Sequence, residues 1–286
     1  MEISSLQHLK AAAVLVGRTE ADAKVFLGRL QGRSSQFSFW GDINQDAVVL
    51  VTQGAGSVAT FMIPPATKKN KTPLQRAIED ARNGTAKLGV AMAHAIVGPQ
   101  DHASTGVFES AGFAKLAMLR TMEWNSSHGS KTSFVDGLEF VQASEVCDED
   151  FCSVLEDSYI GSLDCPAIHG LRNVEDIIAS HRGADSYDPS LWYLLRLNNN
   201  QAGVLFLHQP SDRRYLELDY LGIRPQARRN GVGQAAVAHA VNQAIDRGCN
   251  QIKLIVDDAN EPAIRLYKKA KFKTLSIRNA LFCPLA

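Results

Sequence analysis

The chain has 286 residues, 30 Lys and Arg against 30 Asp and Glu, and an apolar fraction of 45%. That length fits one large domain or two ordinary ones, each able to bury a core. Exact charge balance argues against a general nucleic-acid binder, though not against a local basic patch. No run approaches the roughly 18 apolar residues of a membrane helix, and the opening MEISSLQHLKAAAVLVG lacks the basic region of a secretory signal. Cys147, Cys152, Cys165, Cys249 and Cys283 are odd in number and lack zinc-type or redox-type spacing. The expectation is a cytoplasmic protein with reduced thiols, no metal, no nucleic-acid partner and no membrane partner.

Residues 6–31 read as helical, and FSFW, AVVLVT and SVATFMI as strands separated by turn residues. TPLQRAIEDARNG reads as a helix closing at Gly84. LGVAMAHAIV follows as a buried strand, HASTGVFESAG as a short helix and AKLAMLRTMEW as a last strand. The polar stretch NSSHGSKTSFVDG reads as a linker, so the expected domains are 1–126 and 138–286, joined through 127–137. The second half opens with the strand LEFVQA, then a helix from Asp148 to about Ser158, a loop, and the helix NVEDIIASHR. Strands LWYLLRL, AGVLFLHQ and RYLELDYLGI lead to the turn RPQARRNGVG, a helix to Gly248 and the strand QIKLIV. A helix begins at Asn260, a good cap, with Glu261 in its first turn and Pro262 where no N–H is needed. KTLSIRNALF ends the pattern.

The halves echo one another. Phe113 and Phe272 lie 159 positions apart, and the same offset pairs Ala111 with Ala270, Phe108 with Tyr267, Ile96-Val97 with Ile255-Val256 and Gln75 with Gln234. One offset held without a gap from helix to strand to helix points to duplication, in units too long for a solenoid.

RRNGVG stands at the mouth of a helix. The first N–H groups of a helix have no intrahelical partner, and the dipole adds partial positive charge. Glycines let a phosphate approach that backbone, and arginines add charge, so the turn has the chemistry of a pyrophosphate cradle. GVGQAA also fits G-x-G-x-x-A, with Asp257 24 residues beyond Gly233. Against a dinucleotide fold, RPQARRN separates Ile223 from Gly231, and little chain remains after Asp257. A P-loop fails for want of Gly-Lys-Ser/Thr.

Residues 138–286 resemble the GNAT superfamily of N-acetyltransferases. Its Gln/Arg-x-x-Gly-x-Gly/Ala signature is matched by Arg228, Gly231 and Gly233, after the hydrophobic-x-Pro step Ile223-Arg224-Pro225. Asn260, Ala263 and Tyr267 match the later Asn-x-x-Ala-x-x-x-Tyr, with Phe272 following and Lys271 where a glycine is usual. The resemblance implies an α/β (mixed α+β) chain of two tandem GNAT-like domains, each a twisted mixed sheet flanked by helices. It also implies acetyl-CoA held in a V between two parallel strands. Leu221, Gly222 and Ile223 would hold the acetyl and pantetheine portions. Arg228, Arg229, Asn230, Gly231, Val232, Gly233 and Gln234 would form the pyrophosphate turn, and Asn260 would contact the pantetheine arm or cap its helix.

The implied reaction is direct transfer of an acetyl group to a primary amine, which needs a base, an oxyanion donor and a proton for the leaving thiolate. Tyr267 takes the position of the acid. Glu217 stands where histone-acetylating members carry their base, and Asp219 is the second candidate. By alternation Tyr215, Glu217, Asp219 and Leu221 share one face, and the Leu221 amide is a candidate oxyanion donor. The loop SYIGSLDCPAIHGLR is where the family builds its acceptor pocket, which nominates Tyr159, Asp164, His169 and Arg172; Cys165 reads as a spectator. The acceptor is a small molecule or peptide bearing an amine. At the offset of 159, Arg228, Gly231, Gly233, Asn260 and Tyr267 become Lys69, Thr72, Leu74, Asp101 and Phe108. The first half is thus a degenerate copy without the coenzyme motif, an arrangement similar to mycothiol synthase and related double-domain members. The alternative is a non-catalytic acyl-CoA-binding sensor or interaction module.

Overall fold

The computed structural model describes residues 1–17, 19–31, 36–54, 56–129, 133–183, 187–210 and 213–285. Helices α1 (His8–Val16) and α2 (Glu20–Gln31) precede β1 (Gln36–Asp42), β2 (Ala47–Gln53) and β3 (Val58–Met62). Then come α3 (Lys71–Ala86), β4 (Met92–Val97), α4 (His102–Ser110) and β5 (Ala114–Asn125). The second half runs β6 (Leu138–Gln142), α5 (Asp148–Tyr159), α6 (Val174–Arg182), β7 (Trp192–Leu197), β8 (Asn200–His208) and β9 (Tyr215–Ile223). It ends with α7 (Val232–Asp246), β10 (Gln251–Asp257), α8 (Glu261–Lys269) and β11 (Lys273–Pro284). Among the described residues no helix is long and apolar enough to cross a membrane, and all five cysteines are free thiols.

The helix expected over 6–31 is two. Gly17, at φ 61°, ends α1 in the left-handed conformation that glycine adopts without steric cost. Thr19 and Asp22 then bond each other's backbone N–H groups at 3.2 Å to start α2. Gly84 does not close its helix: α3 continues to Ala86, and a Cβ on Gly84 would collide with the indole of Trp40. That glycine serves close packing.

Two compact units form. The first comprises Met1–Ala117, Gly170–Arg172 and Arg278–Ala286; the second comprises Met118–His169 and Asn173–Ile277. In the first, β1, β2 and β3 run antiparallel in sequence order, β3 and β4 are parallel, and Asn279–Pro284 of β11 pairs antiparallel with β4. In the second, β6, β7, β8 and β9 are antiparallel neighbours, β9 and β10 are parallel, and Leu119–Asn125 of β5 pairs antiparallel with β10. Each unit is therefore closed by a strand from the other half of the sequence, a division different from the boundary at 127–137. Residues 130–132 of that expected linker lie outside the described residues.

The offset of 159 carries α4 onto α8 and β5 onto β11, end for end. Asp101 caps α4 through the Ser104 N–H at 2.9 Å, and Asn260, 159 residues on, caps α8 through the Ala263 N–H at 3.3 Å. The aromatic pair Phe108–Phe113 recurs as Tyr267–Phe272, with ring centroids 5.0 and 5.7 Å apart.

In the second unit, the alanines of α7 (Ala236, Ala240 and Ala244) let that helix lie close on Leu216, Leu218, Ile252 and Leu254. The opposite sheet face packs Phe151 and Trp192 against Phe206, with the Trp192 and Phe206 rings stacked at 3.9 Å.

Candidate active site

The parallel pairing of β9 and β10 runs from Tyr215 opposite Gln251 to Leu218 opposite Leu254, and stops there although both strands continue. At the same point β9 bulges. Tyr220 faces Phe206 and Leu218 faces Leu207 across the β8 pairing, so Asp219 is an extra residue without a partner. A bulge bends its strand, and beyond it β9 and β10 part.

The opening is a cavity of about 450 Å³. Its wall is made by the end of α5 and the following loop, the bulged part of β9, the start of α7, the end of β10, and α8. The bulge also resets alternation. Leu216 and Leu218 face the α7 core, but after it Leu221 and Ile223 face that core while Tyr220 joins the α5–α6 side. Leu221 therefore does not share a face with Glu217, contrary to simple alternation: one inserted residue shifts a period of two by a full face.

At the turn, Gly231 has φ 79° and precedes the first residue of α7 with no side-chain cap, leaving the positive end of a 15-residue helix for a ligand. Leu221, Gly222, Ile223, Arg228, Arg229, Gly233 and Asn260 line the cavity. Arg228 is committed on two sides, donating from Nε to the Ile223 carbonyl at 3.0 Å and from Nη2 to the Ser158 carbonyl at 2.9 Å. It ties the last turn of α5 to the end of β9, a role its place in the motif did not disclose. The other turn residues do not line the cavity. Val232 is buried in the core, Gln234 accepts from Lys269 at 2.9 Å, and exposed Asn230 reaches the Gln226 carbonyl at 3.5 Å.

Tyr267 and Asp219 line the cavity; Glu217 does not. Burial, and secondarily the charge of Asp164, push the Tyr267 hydroxyl above its usual range, so it stays a neutral donor. Burial raises the Asp219 carboxyl to about 6, with Glu217 adding to the rise and His208 opposing it. Glu217 is held below the usual range, chiefly by its hydrogen bond with His208, whose Nδ1 lies 3.5 Å from its carboxylate. Ligand-type atoms of His208, Glu217 and Asp219 all lie within 4.8 Å of one another. The two strand carboxylates thus differ: Glu217 is a fixed charge paired with histidine, and Asp219 is a poised group in the cavity wall.

Of the four loop residues nominated from the sequence, only Asp164 lines the cavity. It accepts the Asp257 N–H at 3.0 Å, while Asp257 accepts the Cys165 N–H at 3.1 Å, a reciprocal clasp that pins the loop to the end of β10. Burial holds the Asp164 carboxyl above the usual range, against the opposing hydrogen bond from the Asp257 N–H. Tyr159 and His169 stack on each other at 4.6 Å behind the loop, where the imidazole bonds the Asp164 carbonyl at 2.9 Å. Arg172 groups with the first unit and donates to the Gly56 carbonyl at 2.7 Å. Burial and the two neighbouring carboxylates push the Cys165 thiol up to about 12, which leaves it unreactive. Sequence reasoning did not single out Ser158, Leu163, Ile255 or Leu266 of the wall; apolar and small residues carry no motif.

Residues 159–272 match the model of the acetyltransferase (GNAT) family. An acetyltransferase of Pectobacterium atrosepticum is 28% identical over 90 residues, covering 32% of this chain and 62% of that protein. The chain thus spans less than two thirds of that relative. Among solved structures, a GCN5-related N-acetyltransferase from Sphaerobacter thermophilus superposes with TM-score 0.60 at 13% identity, covering 98% of this chain and 91% of that one. A tandem GNAT protein from the clavulanic acid biosynthesis pathway superposes with TM-score 0.55 at 10% identity, covering 100% of this chain and 98% of that one. The parted parallel strands, the helix mouth beyond them and these likenesses together identify the fold as that of the GNAT acyltransferases.

Proposed function

We propose that this protein is an acetyl-CoA-dependent N-acetyltransferase whose chemistry resides in the second unit, the first being a copy that has lost its coenzyme site. The observation that carries this reading is the cavity at the parting of β9 and β10, which reaches from the mouth of α7 to Tyr267. The coenzyme pyrophosphate belongs at the α7 N-terminus, beside Arg229 and the Gly231 turn. Its pantetheine arm belongs along Leu221 and Ile223, and the thioester beside Tyr267.

Asp219 accepts the proton of the incoming amine. A base that titrates near 6 is ionised at neutral pH and still basic enough to work. Glu217, the first candidate from sequence, acts from outside the cavity by sustaining negative charge beside Asp219. The Leu221 amide serves the developing oxyanion. Tyr267 donates to the departing thiolate; the burial that raises its pKa keeps the hydroxyl protonated and so available as a donor.

A thermal-shift comparison tests the reading. Acetyl-CoA at about 100 times its dissociation constant stabilises by roughly 2.7 kcal/mol through linkage, and NADH gives no shift. A shift with NADH and none with acetyl-CoA or CoA refutes it. Tight acetyl-CoA binding with no CoA release over a broad amine panel identifies a sensor instead.

A further inference from the structure

The charged residues that line the cavity come from separate elements. Its only cationic lining residues among those described are Arg228 and Arg229, both on the turn before α7, and Arg228 is already bonded to two carbonyl groups. Its carboxylates, Asp164 and Asp219, lie on the loop after α5 and at the β9 bulge, and the charge of Asp164 is felt at Tyr267. Leu163 and Ile255 also line it and are 48% and 63% exposed, large apolar side chains left open to solvent at a cavity wall. Carboxylates in poorly hydrated surroundings favour a cation, and exposed leucine and isoleucine favour an apolar body beside it.

Resting on the acetyltransferase reading of this cavity, we propose that the acceptor is a primary ammonium on an apolar stem, with no carboxylate beside the nitrogen. The ammonium enters between Asp164 and Asp219, and the stem lies against Leu163 and Ile255. Asp219 takes one proton, and the freed nitrogen pair forms the N–C bond to the acetyl carbon of acetyl-CoA. The C–S bond breaks, the thiolate takes a proton from the Tyr267 hydroxyl, the second nitrogen proton passes to the tyrosinate as the neutral amide forms, and Asp219 returns its proton to solvent. An α-carboxylate on the acceptor would be brought toward Asp164 and Asp219, while the lining cations are Arg228, already bonded to two carbonyl groups, and Arg229 on the turn before α7, and such like-charge juxtaposition suppresses binding strongly.

The test uses the intact protein at saturating acetyl-CoA and reads CoA thiol release. Phenethylamine is compared with phenylalanine and phenylalaninamide, and hexylamine with norleucine and with glucosamine, whose stem is polar. Expected is a kcat/KM at least about tenfold higher for each simple amine than for its amino acid, with the uncharged phenylalaninamide recovering most of the difference. Leu163→Arg, which adds a cation to the wall without touching the reacting groups, should narrow the gap between phenethylamine and phenylalanine. The proposal is overturned if the amino acids equal or surpass the amines, or if glucosamine equals hexylamine. Loss of the acetyl-CoA thermal shift, or no CoA release with any amine from a protein that acetyl-CoA stabilises, by contrast overturns the acetyltransferase reading on which the proposal rests.

Discussion

Asp219→Asn should stabilise the protein while disabling it. Burial raises the Asp219 carboxyl from 3.8 to about 6, with Glu217 adding repulsion and His208 partly offsetting it. The other charged neighbour of this cluster is Lys253, which acts on Glu217 together with Tyr215. A raised folded-state pKa means that the fold favours the protonated acid. The associated stability is fully present below about 3.8 and is lost as pH rises through about 6. Two pKa units at about 1.4 kcal/mol each set an upper bound near 3 kcal/mol at pH 7.5. Because Asp219 and Glu217 share their repulsion, a gain of about 1–3 kcal/mol is expected for the variant, which cannot ionise. Melting curves at pH 4 and pH 7.5 measure it. The variant should match the parent at the lower pH and melt roughly 2–4 °C higher per kcal/mol at the upper. Its single-turnover acetyl transfer should fall by about 10²–10⁴-fold, and the parent's kcat/KM should climb through a limb near 6 that the variant lacks. Parallel stability profiles for the two proteins, or undiminished chemistry in the variant, would refute the role given to Asp219.

Tyr267→Phe preserves shape in a buried site and removes one oxygen, so single-turnover transfer should slow by about 10²–10⁴-fold while acetyl-CoA affinity, measured in parallel, changes little. Unchanged chemistry would leave Tyr267 a packing residue. Gly231→Asp puts a negative charge and a Cβ at the mouth of α7, 3.1 Å from Val135, and should weaken coenzyme binding by roughly 100-fold in calorimetry. Thr72→Asp, 159 residues earlier, should leave affinity unchanged; equal losses would contradict the assignment of the coenzyme to the second unit. Lys271 holds φ 73° where the first half has Gly112 at φ 87°, so Lys271→Gly should relieve left-handed strain and raise stability by about 0.5–1 kcal/mol in thermal melts. A destabilised variant would show that the lysine makes compensating contacts.

The repeat was legible because helix and strand periods are written in side chains. Ala111, Phe113 and their counterparts Ala270 and Phe272 fixed an offset that the structure honours from α4 to α8 and from β5 to β11. The exchange of closing strands was not legible for the same reason. β5 and β11 occupy one repeat position, and ladder bonds are made by backbone groups that every residue carries. The bulge at Asp219 was hidden too: one unpaired residue leaves no mark in composition, yet it moves Leu221 to the other face and sets where the strands part. Arg228 was found by its motif, but the motif could not show that two of its nitrogens bond carbonyl groups.

The first unit keeps elements of the second unit's fold but differs at the positions of the proposed site. It keeps the parallel pair, as β3 and β4, and a capped helix after it. At the position of Gly233 it has Leu74, fully buried, and at the position of Tyr267 it has Phe108, 1% exposed and packed edge-on against Phe113. Its turn is closed on itself: Asn70 accepts from the Thr67 N–H and hydroxyl and donates to the carbonyls of Asp46 and Pro65, while Lys68 and Lys69 stand in solvent. A leucine at the helix mouth gains more from the core than a glycine does, once no phosphate needs to approach the backbone. A phenylalanine avoids burying a hydroxyl without a partner. On the proposed reading of the first unit as a copy without a coenzyme site, each change stabilises that unit, and each removes a feature that the second unit retains: a glycine in the first turn of its helix and a buried tyrosine hydroxyl.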